Sequence, residues 1–152
     1  MIYHRFGEPK YPSTNIQMDV FKKQIDTINE SNYNYFNLNN FESFFKKPSL
    51  EKKILITIDD AFTSFYKNAW PYLKENKIPF ILFVSTEPIG KRGYMTWEQI
   101  KEIEKEKFAF IGNHSHTHEY LIKFEFSDFK SDINESIKIF KKNLGYNPIF
   151  FS

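Results

Sequence analysis

Phe80-Ile81-Leu82-Phe83-Val84 is an unbroken apolar run of five residues. A strand with one wet face alternates apolar and polar side chains. A run without alternation belongs to a strand covered on both faces, as in parallel sheets flanked by other layers. The neighbouring sequence agrees with that setting. Residues 64–76 read as a helix with Phe65, Ala69, Tyr72 and Leu73 on one side, and Pro71 is expected to kink or end it. Ahead of it, the Ile-rich residues 53–58 read as another strand. On the other side, residues 96–106 read as a helix opened by a capping box, with Thr96 as N-cap and Gln99 three residues on. A strand at 108–111 follows, then a helix at 127–143 closed by Gly145, then a new apolar run at 148–151.

The N-terminal third continues the pattern. Residues 2–4 form a short strand candidate, followed by a loop through Pro9 and Pro12. Residues 18–30 carry Val20, Phe21, Ile25 and Ile28 at helical spacing. A weak strand signal covers 33–37, and Asn39 is placed to cap a short helix bearing Phe41, Phe44 and Phe45. Strands separated by helices imply an α/β architecture, either a parallel sheet or a (β/α) barrel.

Bulk properties narrow the function. The 152 residues suffice for one domain with a real core, and 18 are Phe, so burial rather than disorder is expected. The formal net charge of +2 provides no basic stripe for nucleic acid. The absence of cysteine rules out disulfides and a thiolate metal site. No apolar run reaches the roughly 18–20 residues of a membrane-spanning helix. Met1-Ile2-Tyr3-His4-Arg5 lacks the basic-then-apolar layout of a signal peptide. Compartment and oligomeric state stay open. Ile149-Phe150-Phe151-Ser152 stops in mid-strand, so the chain is expected to be the N-terminal portion of a longer domain.

Two clusters carry chemistry. Asp59 and Asp60 follow the 53–58 strand at its C-terminal end, where parallel α/β folds assemble their sites. An isolated Asp pair there would more often be a helix cap. The second cluster is Asn113-His114-Ser115-His116-Thr117-His118, which gathers three of the four histidines in the chain. His114 and His118 are four apart, so a helical turn or a tight loop can aim both imidazoles at one ion. On a helical turn His116 would point elsewhere, behind the ligands, toward a substrate or simply into solvent. A carboxylate and two histidines leave coordination positions open for water, and the adjacent carboxylate is then free to act as a general base.

Thr57-Ile58-Asp59-Asp60-Ala61 resembles the Thr-Phe-Asp-Asp-Gly motif of the NodB-homology polysaccharide deacetylases, carbohydrate esterase family 4. His114-Ser115-His116-Thr117-His118 is similar to that family's His-[Ser/Thr]-x-x-His motif, and Tyr3-His4-Arg5-Phe6 to a Tyr-His segment opening one bacterial branch. The resemblance implies an irregular (β/α) barrel of the NodB type, incomplete here, with residues 1–152 as the N-terminal portion of one domain. It implies Asp59 as catalytic base and Asp60, His114 and His118 as ligands of one divalent metal ion. Zinc suits that donor set, with cobalt or nickel as substitutes. The expected reaction is hydrolysis of N-acetyl groups on a polysaccharide or oligosaccharide, with Ser115 orienting the loop.

Some positions depart from the family. Ala61 replaces Gly, a mild change if φ stays negative there. The family's later segments and its final histidine, which protonates the leaving amine, have no counterpart after His118, so little turnover is expected of this chain alone. His4 could face the barrel mouth or simply sit beside the core. Tyr94 and Trp97 could line a sugar groove or anchor the following helix. Two rival functions fit the same residues: a catalytically inactive carbohydrate-binding relative, and a metal-dependent amidase acting on a small amide.

Overall fold

Phe80–Val84 forms the central strand, and all five of its side chains are buried. The computed structural model describes residues 1–36, 38–46 and 50–152. In chain order the elements are β1 (Ile2–Tyr3), β2 (Arg5–Phe6), β3 (Asn15–Ile16), α1 (Met18–Glu30), β4 (Asn34–Tyr35), α2 (Phe41–Lys46), β5 (Lys53–Ile54), β6 (Ile56–Ile58), α3 (Trp70–Glu75), β7 (Phe80–Val84), α4 (Trp97–Glu104), β8 (Ala109–Asn113) and α5 (Phe126–Leu144). The main sheet is parallel with strand order β1-β6-β7-β8. Asn113 also forms an isolated parallel bridge to Phe151. The sheet is not closed into a barrel, as the expectation of an incomplete one required. No helix among the described residues is long and apolar enough to cross a membrane.

The period of two divides β7 between two cores. Phe80, Leu82 and Val84 join the larger cluster, with Phe21 and Ile25 of α1, Trp70 and Leu73 of α3, Ile100 and Ile103 of α4, and Phe140 of α5. Ile81 and Phe83 face the other way, into a smaller cluster with Phe36, Leu38, Phe110 and Phe150. Burying each such side chain is worth about 1.5–3 kcal/mol, so both faces of this strand contribute to stability. That is why its sequence cannot alternate.

Gly112 of β8 lies under Phe83. A Cβ there would come within 2.5 Å of two atoms of the Phe83 ring and 3.3 Å of Ile81. Gly112→Ala should therefore lower stability by about 1–3 kcal/mol through overpacking, measured as a fall in the denaturation midpoint. An unchanged midpoint would mean that the ring yields freely.

Other expectations are refined. Strand 53–58 divides: Lys53–Ile54 pairs with Asn34–Tyr35, and Ile56–Ile58 enters the main sheet. Residue 37, the end of the expected 33–37 strand, lies outside the described residues. A turn of 3-10 helix, Leu38–Asn40, precedes α2, and the packing expected of Phe44 and Phe45 also lies outside them. The expected helix at 64–76 opens with a wider π turn over Phe65–Ala69 before α3. Pro71 then falls in the first turn of α3, directly after the π turn in which Trp70 N donates to Phe65 O. The capping box of Thr96 and Gln99 is present, and α5 ends at Gly145 with φ 86°.

Candidate metal centre

The two chemical clusters lie at the same end of the sheet, past β6 and past β8, with β7 between them. β6 ends at Ile58, and the Asp59 amide still donates to Tyr3 O of β1 at 2.8 Å. The chain then turns sharply, with φ 71° at Asp60 and 54° at Ala61. Aspartate reaches the left-handed region more readily than most residues. The change from Gly to Ala would be mild only with a negative φ, and here φ is positive; a left-handed alanine costs roughly 1–2 kcal/mol. The turn is held from outside, since Met95 N donates to Ala61 O at 2.9 Å and Thr63 N donates to Gly93 O at 2.9 Å.

The histidine loop leaves β8 two strands away. It is a tight loop rather than a helical turn, with left-handed residues at Ser115 (φ 69°) and His118 (φ 61°). The end of β7 supports it: His114 N donates to Val84 O at 3.0 Å, and Ser85 Oγ donates to His114 O at 2.6 Å. His118 N donates to Ser115 Oγ at 3.1 Å, so Ser115 does orient the loop. From α5, the buried Asp132 accepts His116 N at 2.7 Å, Thr117 N at 3.0 Å and Thr117 Oγ1 at 2.6 Å.

This folding brings together three of the four residues singled out in the sequence. His118 Nε2 is 2.8 Å, and His114 Nε2 3.4 Å, from Asp60 Oδ1. Nδ1 of His114 is 2.7 Å from Ser152 O. Because a carbonyl can only accept, Nδ1–H is the donor in that contact, and Nε2 is the nitrogen that faces Asp60. His116 is turned away, with Nδ1 2.8 Å from Thr86 Oγ1. Asp59 is buried beside the trio, and its Oδ2 is 3.8 Å from His4 Nε2.

The arrangement suits a divalent cation. One ligand atom from each of Asp60, His114 and His118 lies within 4.8 Å of the others. Oδ1 of Asp59 is buried without a hydrogen-bond partner, a costly condition for a carboxylate unless a cation compensates it. Two imidazoles and a carboxylate are a donor set that zinc accepts with a position to spare.

The electrostatics separate the two carboxylates. Burial pushes Asp59 above the ordinary carboxylate range, although His114, His4 and His118 pull against it. Burial acts on Asp60 in the same direction. There the close contact with His118, together with the charges of His118, His114 and His4, outweighs it and holds the group below its usual value. His118 is in turn raised, chiefly by its contact with Asp60 and against the effect of burial. Adjacent acids with opposite shifts suit a pair with divided duties.

A sequence profile for polysaccharide deacetylases matches residues 46–152. The chain belongs to the polysaccharide deacetylase family. Among relatives of this deacetylase-family chain, YxkH of Bacillus subtilis is 35% identical over 95 residues, 62% of this chain and 33% of that one. The poly-β-1,6-N-acetyl-D-glucosamine N-deacetylase of Staphylococcus aureus is 25% identical over 156 residues, covering 93% of this chain and 54% of the relative. This family member thus spans between a third and about half of the length of those proteins. IcaB from Ammonifex degensii superposes with a TM-score of 0.85 at 25% identity, over 99% of this chain and 70% of that one. The Streptococcus pyogenes deacetylase PplD, solved with acetate, gives 0.86 at 21% identity with the same coverage and supports the fold alone.

Two further features surround this deacetylase-family site: His4, which the sequence left between the barrel mouth and the core, and Asp132, which was not singled out. His4 follows β1 as Asp59 follows β6, and Tyr3 pairs with Ile58 in register, so parallel pairing sets the imidazole beside the carboxylate. Strand adjacency was the missing signal. Asp132 looks like any acid on a solvated helix face until the loop is folded against it. Tyr94 stacks on Phe62 with centroids 4.9 Å apart. Trp97 packs edge-on against Phe140 at 5.7 Å, which makes it a core anchor rather than a groove wall.

Proposed function

We propose that this chain forms the metal-binding and base-bearing part of a hydrolase that removes N-acetyl groups from a polysaccharide of N-acetylglucosamine. The observation that carries this reading is the convergence of Asp60, His114 and His118, with Asp59 buried alongside and left with an unpaired oxygen. Asp60, His114 and His118 would hold the ion, with zinc the best match to their chemistry. When bound, a zinc ion supplies Lewis-acid polarisation of a carbonyl and makes water acidic near neutral pH.

The remaining work falls to the chain's own groups. Asp59 accepts the proton of the attacking water, and burial raises its affinity for that proton. The water oxygen bonds to the acetyl carbon, the C–N bond breaks, and acetate leaves. The amine nitrogen must gain a proton in that step. We assign that proton to His4, whose Nε2 lies 3.8 Å from Asp59 Oδ2. The sequence alone left that acid without a residue. His4 as proton donor would give this chain turnover of its own, against the little expected from the sequence, and acetate release decides between the two.

The linkage is inferred from the Staphylococcus aureus relative, whose name specifies a β-1,6-linked N-acetylglucosamine polymer. The test is acetate release by the zinc-loaded chain from β-1,6-linked N-acetylglucosamine oligomers, from chitin oligomers and from acetamide. Release from the first, at least tenfold faster than from the other two, is expected. Equal rates on acetamide would favour a small-amide hydrolase. A chain that binds zinc and releases no acetate from any of the three would sink the catalytic reading.

A further inference from the structure

The histidine loop is held by two different kinds of support. On the β7 side the contacts are local to the strand end and involve neutral groups: Ser85 Oγ to His114 O, Thr86 N to Ser115 O, and Glu87 N to His116 O at 3.0 Å. On the other side stands one ionisable group, Asp132 of α5, which is only 6% exposed. It takes two consecutive backbone N–H groups and one hydroxyl from residues 116 and 117. Those residues lie between the two histidines that approach Asp60. The loop is also strained on both sides of the contact, with left-handed backbone at Ser115 and His118, and strained backbone persists only where surrounding structure holds it.

We infer that Asp132 is a positioning residue for the metal centre: by clamping residues 116 and 117 it sets the separation and aim of His114 and His118. This rests on the reading that Asp60, His114 and His118 bind zinc. Asp132 does not approach the ion or a substrate; it acts through the loop. Hydrogen bonds from backbone N–H groups to a carboxylate are charge-assisted and directional, and Asp132 makes two of them to consecutive amides in the middle of the loop. Groups that orient metal ligands without touching the metal are typically worth about 10- to 100-fold in affinity.

The experiment measures zinc affinity by calorimetry and global stability by denaturant for the wild type, Asp132→Ala, Asp132→Asn and Thr117→Val. Expected is zinc binding weakened about 10- to 100-fold in Asp132→Ala, measured at a denaturant concentration of zero where the variant is folded. Asp132→Asn keeps the size but has a single acceptor oxygen, and should fall between that variant and wild type. Thr117→Val removes one of the three hydrogen bonds and should cost only a few-fold. Combined with Asp132→Ala it should add nothing further, because the two act as a unit. A role in stability alone would lower the denaturation midpoint and leave zinc affinity within threefold of wild type in Asp132→Asn and Thr117→Val, and that result overturns the inference. If Asp132→Ala does not fold, the graded loss in the other two variants still decides it. Absence of zinc binding by the wild-type chain would instead sink the metal-site reading, and the inference with it.

Discussion

Asp60→Asn and His114→Ala are each expected to abolish stoichiometric zinc binding, with affinity falling by more than about a hundredfold. Residues that only orient ligands are worth about 10- to 100-fold, and these two supply ligand atoms themselves. In Asp60→Asn the carboxylate charge is also lost from a buried position where both histidines approach it, at 2.8 and 3.4 Å. Wild-type affinity should depend on pH in a defined direction. His118 is held above its ordinary value by Asp60, and zinc must displace that proton. Affinity therefore weakens as pH falls through the raised value. In the metal-free chain the sign reverses: the His118–Asp60 contact contributes stability fully below about pH 6.5, the ordinary histidine value, and loses it as pH rises through the raised one. Calorimetry across that pH range checks both. Binding near one equivalent that survives either substitution would rule out this trio as the site.

Asp59→Asn should do the opposite: leave zinc affinity within a few-fold of wild type and remove turnover. Asp59 is not among the three converging ligands, so the ion has no need of it. The substitution preserves size and removes the group that takes the proton, a role worth about 10²–10⁴-fold in rate. Acetate release under saturating zinc is the measurement. A variant that keeps more than about a tenth of wild-type turnover would transfer the base role elsewhere, with His4 next in line at 3.8 Å.

The fold was legible where one signal dominated locally. The unalternating run at Phe80–Val84 could only be a strand buried on both faces, and Met18–Glu30 carried its helical period through to the observed ends. Legibility ended where tertiary contact decided. Nothing local to Ile54-Leu55-Ile56 shows that the strand changes partners there. Nothing local announces the π turn before Pro71 either, within which Asn68 Nδ2 donates to Phe6 O of β2 at 2.7 Å. At the site, Asp60, His114 and His118 were recognisable because their side-chain chemistry is uncommon in that density. The position of His4 required knowing that β1 lies beside β6. Ala61 appeared to be a tolerable replacement for glycine, since a single letter carries no dihedral angle; the structure puts it in the left-handed region.

The contact between His114 Nδ1 and Ser152 O has a different kind of consequence. The atom that fixes the tautomer of a ligand belongs to the peptide backbone, so position 152 can take almost any side chain and still provide it. Substituting the Ser152 side chain should therefore leave the aim of His114 unchanged, whereas moving the main chain at that point should not.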